Sequence, residues 1–173
     1  LHSASLSDEL RVGAVTVHPD QPSALAAMAA DEEGATSFLK EQQWTLDFGT
    51  AITFDAISGA GEYLGGIIAP GVEISLNALT ERAAKLPQVE LTEPERLIGR
   101  TTLEAIQAGV IYGFAAQIDG IVERLRDELG DELQVIATGG LSSHIVPFCD
   151  SVELTDDMLT LTGLRLIYER NSA

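Results

Sequence analysis

Eight apolar residues in the second half of this chain set the tightest limit on its fold. Leu103, Ile106, Val110, Phe114, Ile118, Ile121, Leu125 and Leu129 recur every three or four positions, so they line one side of a single long helix. Thr101-Thr102-Leu103-Glu104 has the spacing of a capping box at its start. A stripe of this length needs a second layer to cover it. Gly109 and Gly113 lie one turn apart in the same stretch. Two readings fit them: close approach of another backbone, or a kink.

What precedes the helix supplies the other layer. Residues 44–48, 51–57 and 62–69 read as three short strands joined by turns at Gly49-Thr50 and at 58–61, an antiparallel meander. Pro70-Gly71 then opens a helix whose apolar positions, Val72, Leu76, Leu79, Ala83 and Leu86, share one face. Beyond the long helix, residues 134–137 read as a short buried strand. Thr138-Gly139-Gly140 forms a turn into a helix over 141–146. Asp156 is placed to cap a last helix with Leu161, Leu164, Ile167 and Tyr168 facing inward. Residues 1–43 are weakly patterned. Residues 12–17 suit a strand stopped by Pro19 and Pro22, and Ser23 suits the cap of a helix over 24–30, interrupted by Asp31-Glu32-Glu33-Gly34. The order β-β-β-α-α-β-α-α predicts a layered α/β domain with a mixed sheet, the order of one half of the ribonuclease H-like domains of actin-like kinases.

Charge and composition narrow the function. A net charge of −17 with only ten Lys and Arg opposes binding to nucleic acid or to anionic membranes. Any phosphate ligand must then be met by backbone amides, helix N-termini or a metal ion. Cys149 is the single cysteine, which excludes an internal disulfide and a Cys-based zinc site, and a reducing, cytoplasmic setting is the simplest reading. No apolar run approaches the ~18 residues of a membrane span, and no signal-peptide pattern opens the chain. Leu1 in place of an initiator Met suggests a truncated chain. His2, His18 and His144 are scattered, and neither a nucleophile elbow nor a Walker loop is present.

Three clusters carry candidate chemistry. Asp47 stands at a strand end two residues before Gly49, with Thr50, Thr53 and Asp55 beyond. Such a carboxylate suits a hard cation, and the Gly49-Thr50 turn suits a phosphate; an ordinary hairpin with turn residues fits as well. Gly139 and Gly140 suit either a nucleotide lying against the backbone or a turn needing positive φ. Thr101 and Thr102 suit either a carboxylate-bearing substrate at a helix N-terminus or simple capping.

Taken together, these stretches resemble type III pantothenate kinases. The resemblance lies in residues 47–55 (DFGTAITFD), 61–71 (GEYLGGIIAPG), 98–102 (IGRTT), 138–141 (TGGL) and 159–171 (LTLTGLRLIYERN), and runs from about Trp44 to the end of the chain. It implies the C-terminal ribonuclease H-like domain over 44–173, in a homodimeric actin-like kinase. That kinase moves the γ-phosphoryl of ATP to pantothenate with Mg²⁺ and a monovalent cation, K⁺ or NH₄⁺. It further implies that Asp47 holds the monovalent cation and that Gly49 and Thr50 meet the ATP phosphates. Gly139 and Gly140 would lie near the nucleotide, and Thr102 would bind pantothenate across the dimer interface.

Residues 1–43 do not share the pattern. The family's DxGNT phosphate loop has no counterpart in this sequence. Where the family has GADR, with its catalytic base, the chain reads Leu25-Ala26-Ala27-Met28, and Asp31 is the nearest carboxylate. Two functions follow as alternatives: a pantothenate kinase, or a non-catalytic dimeric binding or assembly module derived from one. A third, another actin-like phosphotransferase such as a sugar kinase, is opposed by the motifs after Gly61.

Overall fold

A computed structural model describes residues 10–12, 15–17, 42–58, 63–82, 89–130 and 133–172. Strands β1 (Leu10–Val12) and β2 (Val15–Val17) form an antiparallel pair where one strand over 12–17 was expected. The helix expected over 24–30 lies outside the described residues.

The main sheet has five strands in the order β5-β4-β3-β6-β7. Strands β3 (Gln42–Phe48), β4 (Ala51–Ile57) and β5 (Tyr63–Pro70) make the expected antiparallel meander. Strand β6 (Leu133–Thr138) joins the other side of β3 in parallel, and β7 (Leu154–Thr155) extends the sheet in parallel beyond it. Two helices separate β5 from β6: α1 (Val72–Arg82) and α2 (Thr102–Leu129). A short α3 (Ser142–Ile145) follows β6, and α4 (Leu159–Asn171) ends the chain. This mixed sheet with its meander and flanking helices is the ribonuclease H-like arrangement expected from the sequence.

Strand alternation divides the sheet into two unlike faces. Leu46, Phe48, Ile52, Phe54, Ala56, Val135 and Ala137 point to one face and are buried. They meet the inward side of α2, formed by Ile106, Val110, Ile111, Ala115, Ile118, Val122 and Leu125. The opposite face carries Thr45, Asp47, Thr53, Asp55 and Thr138, and on this side Ile136 packs against Leu159 of α4.

The start of α2 follows the sequence closely, whereas α4, expected to be capped by Asp156, has Met158 at its N-cap and no side-chain cap. Thr101 accepts a hydrogen bond from the Glu104 amide at 3.2 Å, and Glu104 accepts one from the Arg100 amide at 2.6 Å. The box therefore closes one residue earlier than its usual reciprocal form. At 28 residues, α2 is about 42 Å long. Strand β3, with 7 residues, is about 23 Å long, so the helix outruns the sheet that it covers.

One expectation gains a qualification and a second needs correction. By length and composition α2 is apolar enough to cross a membrane, with a mean hydropathy of 1.3 over its best window, although no uninterrupted apolar run is that long. The reason is its role as the core helix, whose inward side is almost entirely aliphatic. Leu161, Leu164 and Tyr168 do not face inward: they are 57%, 48% and 73% exposed. Helix α4 turns Leu159 and Gly163 to the sheet instead. Periodicity identifies an apolar face but not whether the same chain covers it.

The α2 contact supplies a direct stability test. Ile118 is fully buried at the middle of the helix. Ile118→Ala is expected to lower unfolding stability by about 2–5 kcal/mol in urea titrations, because the rigid sheet below cannot collapse into the space. Thr101→Ala should cost about 1 kcal/mol through loss of the cap.

Candidate functional site

The parallel register of β3 and β6 places Asp47 beside Thr138. It therefore brings the Gly49-Thr50 turn, just after β3, and the Gly139-Gly140 turn, just after β6, to one edge of the sheet. The contact between them is close. A Cβ on Gly139 would lie 2.7 Å from Asp47 Oδ1 and 2.7 Å from the Phe48 amide nitrogen. Gly139 also has φ +97°, which side chains rarely adopt. Its carbonyl is anchored by the Ser142 hydroxyl at 2.7 Å and the Ser142 amide at 3.1 Å. Gly140 is exposed, with open space above it.

The hairpin turn is held from beneath. Gly49 donates its amide to the Ala51 carbonyl at 3.1 Å, and both Gly49 and Thr50 are exposed. Gly71, which is buried, runs directly under the turn: a Cβ there would lie 2.3 Å from the Thr50 carbonyl oxygen. The turn thus rests on the first residue before α1, a support that the sequence reading did not assign to Gly71.

Two carboxylates share the polar face. Burial holds the Asp47 carboxyl above its ordinary value of 3.8. Asp55 is 8% exposed, and burial is the main cause that raises its pKa. Hydrogen bonds from Tyr63 and Thr53 pull it down, and the charge of Asp47 pushes it up. The Tyr63 hydroxyl donates to Asp55 Oδ1 at 3.1 Å. Burial and the Asp55 charge push Tyr63 itself up to about 12. Sequence reasoning noted Asp55 but not Tyr63, because their contact crosses between strands.

These residues fit a monovalent cation better than a divalent one. Among the described residues no three His, Cys, Asp or Glu side chains gather as a metal cluster. One partly desolvated carboxylate with neighbouring hydroxyl and carbonyl oxygens suits a weakly charged hard ion. Mg²⁺ is commonly carried with few protein ligands and the phosphates of its nucleotide.

Thr102 stands apart, exposed in the first turn of α2 on the other layer. Among the described residues it makes no hydrogen bond to the Asp47 group. Cys149 is half-buried. Burial, with Asp119 and Asp150 close by, pushes its thiol up to about 12, so it is not a nucleophile at neutral pH. Asp119 serves structure: its carboxylate accepts from the Asp150 and Ser151 amides and from the Ser151 hydroxyl.

Fold and edge together are those of one ribonuclease H-like half. A solved structure from Campylobacter jejuni, assigned to the Baf family of transcriptional activators, shares this fold. It has a TM-score of 0.51 and 24% identity, covering 82% of this chain and 67% of that one. A sequence model of the type III pantothenate kinase family matches residues 14–124, starting upstream of Trp44. The chain is 54% identical to the type III pantothenate kinase of Syntrophus aciditrophicus over 77% of its own length and 52% of that protein. It is 56% identical to that of Moorella thermoacetica over 73% of its length and 50% of that protein. The chain belongs to the type III pantothenate kinase family, and it spans about half the length of the curated relatives it matches.

Two measurements test the edge. Gly139→Ala is expected to cost at least about 1 kcal/mol, from the disfavoured φ and the clash with Asp47, whereas Gly140→Ala should change stability by less than about 0.5 kcal/mol. Asp55 is expected to make stability depend on pH. Its protonated form is favoured in the folded state, so its contribution is complete below 3.8 and declines as pH rises through its elevated folded value. Asp55→Asn should therefore gain on the parent chain in urea midpoint as pH is raised from about 4 to 7. An unchanged difference across that range would contradict the assignment.

Proposed function

We propose that this chain acts in the ATP-dependent phosphorylation of pantothenate to 4'-phosphopantothenate, the first step of coenzyme A biosynthesis. What supports the reading is family membership together with one geometric fact: a single register pair, Asp47 with Thr138, joins the two turns at one sheet edge. In this reading Asp47 holds K⁺ or NH₄⁺, and the Gly49 amide and Thr50 meet the ATP phosphates. Gly139 and Gly140 let the nucleotide lie against the backbone. Mg²⁺ enters with ATP, where it offsets phosphate charge. With a net charge of −17, repulsion of the nucleotide makes these cations and amides necessary.

Thr102 takes the pantothenate carboxylate at the start of α2, completed by a second copy of the chain. Supporting a homodimer, Ile74 and Leu79 of α1, Leu97 and Ile98 before α2, and Leu103 in its first turn are all exposed apolar residues. Gly109 and Gly113 lie on the exposed side of α2 with open space over both. Such a surface suits close packing of a second backbone.

A second reading, a non-catalytic dimeric module, draws on one observation: apolar Leu25-Ala26-Ala27-Met28 stand where the family has GADR. Absence of a general base alone costs roughly 10²–10⁴ in rate.

Pantothenate-dependent ADP release, followed at saturating Mg²⁺ and K⁺, tests both readings. Residues 1–173 alone are expected to be inactive, since they hold one phosphate hairpin of the two that an actin-like site closes around its nucleotide. The product of the full reading frame is expected to turn over. There, Asp47→Ala should remove K⁺ activation, and Thr102→Val should raise KM for pantothenate about tenfold with little change in kcat. A full-length product that dimerises and binds ATP without turnover would favour the second reading. Robust turnover by residues 1–173 would show instead that an acid within them, Asp31 or Asp55 first, serves as the base.

A further inference from the structure

We propose that Asp55, clamped by Tyr63, is a positioning residue for the cation site at Asp47: a fixed anion that strengthens the pull of the polar face on a monovalent cation without touching the ATP phosphates. The inference rests on the reading of Asp47 as the cation holder. Thr53 pairs with Asp47 in register, and Asp55 follows two residues later on the same face of β4. The two residues are thus diagonal neighbours on adjacent strands, with Cα atoms about 7–8 Å apart by strand geometry. With its Oδ1 held by Tyr63, Asp55 acts on a cation at Asp47 as a second negative charge through space.

The clamp is specifically built. Strands β4 and β5 pair Ala56 with Gly65, but the next pair is Ile57 with Tyr63, so Leu64 is skipped in a bulge. Without the bulge Leu64 would sit opposite Ile57, and Tyr63 would point to the other face of the sheet. The irregularity turns Tyr63 onto the face of Asp55 and brings its hydroxyl within 3.1 Å of Oδ1, while Leu64 is left 50% exposed. Gly65, with φ +123°, sits at the irregularity. An apolar side chain is thus put into water so that a hydroxyl reaches a buried carboxylate. For the fold alone this arrangement is unfavourable, because Asp55 is desolvated and repelled by Asp47. A cation at Asp47 removes that repulsion.

The two effects separate experimentally. The melting temperature of residues 1–173 is followed while K⁺ replaces tetramethylammonium at constant ionic strength, for the parent chain and for Asp55→Asn, Tyr63→Phe and Asp127→Asn. The last removes one exposed charge on α2, in the layer over the opposite face, and serves as the control. The parent chain and the control are expected to show the same saturable rise. Asp55→Asn should raise the K⁺ half-saturation about tenfold, and Tyr63→Phe about threefold. Without K⁺, Asp55→Asn should melt no lower than the parent, because it removes a buried repulsion. A residue needed only for packing would lower melting with and without K⁺ and leave the half-saturation unchanged, and that result overturns the proposal. If Asp55→Asn does not fold, the half-saturation of Tyr63→Phe decides. Absence of any K⁺-dependent rise in the parent chain would instead overturn the reading of Asp47, and the present inference with it.

Discussion

The parallel pairing of β3 with β6 is the constraint on which the rest of this structure depends. It makes Leu46 and Ala137 neighbours on the core face, and Asp47 and Thr138 neighbours on the polar one. A parallel pair needs a long crossover, and α1 and α2 fill that requirement while covering the apolar face. One register thereby sets both the core and the edge where two turns meet. A slip of one residue would exchange the faces and bury Asp47 under α2.

The polar edge is kept rigid by close backbone contacts rather than by side-chain bulk. Gly139 lies against Asp47, and Gly71 lies under Thr50. The Thr50 turn is therefore joined on one side to β6 and on the other to the start of α1. Exposed turns are ordinarily the mobile parts of a sheet. Here the exposed turn backbone is supported from two directions, which keeps its amides in a fixed orientation.

Much of this was legible in the sequence, for physical reasons. The α2 stripe repeats over enough turns to leave no other period, and the meander is punctuated by Gly49 and by the turn after Ile57. The facing of α4 was not legible. Leu161, Leu164 and Tyr168 mark a real apolar side, yet the sheet takes Leu159 and Gly163. Strand β7, with 2 residues, is too short for alternation to register. The Tyr63–Asp55 contact was hidden for a different reason. Strict alternation puts Tyr63 on the wrong face, and only the bulge beside Gly65 returns it. The edge itself was visible as two motifs, but their meeting depended on a parallel register that no local pattern encodes.

That same pairing has a consequence for how the protein is made. Its meander consists of neighbours in sequence and can assemble as soon as β5 has been synthesised. Asp47 waits for Gly139 until α1, α2 and β6 have all followed. Closing so large a loop carries an entropic penalty that the local strands do not face, so this edge belongs to the late part of folding. During that interval the β3 edge has no partner and is open to strands of other chains, which makes it the place where slow synthesis or crowded expression would produce aggregation.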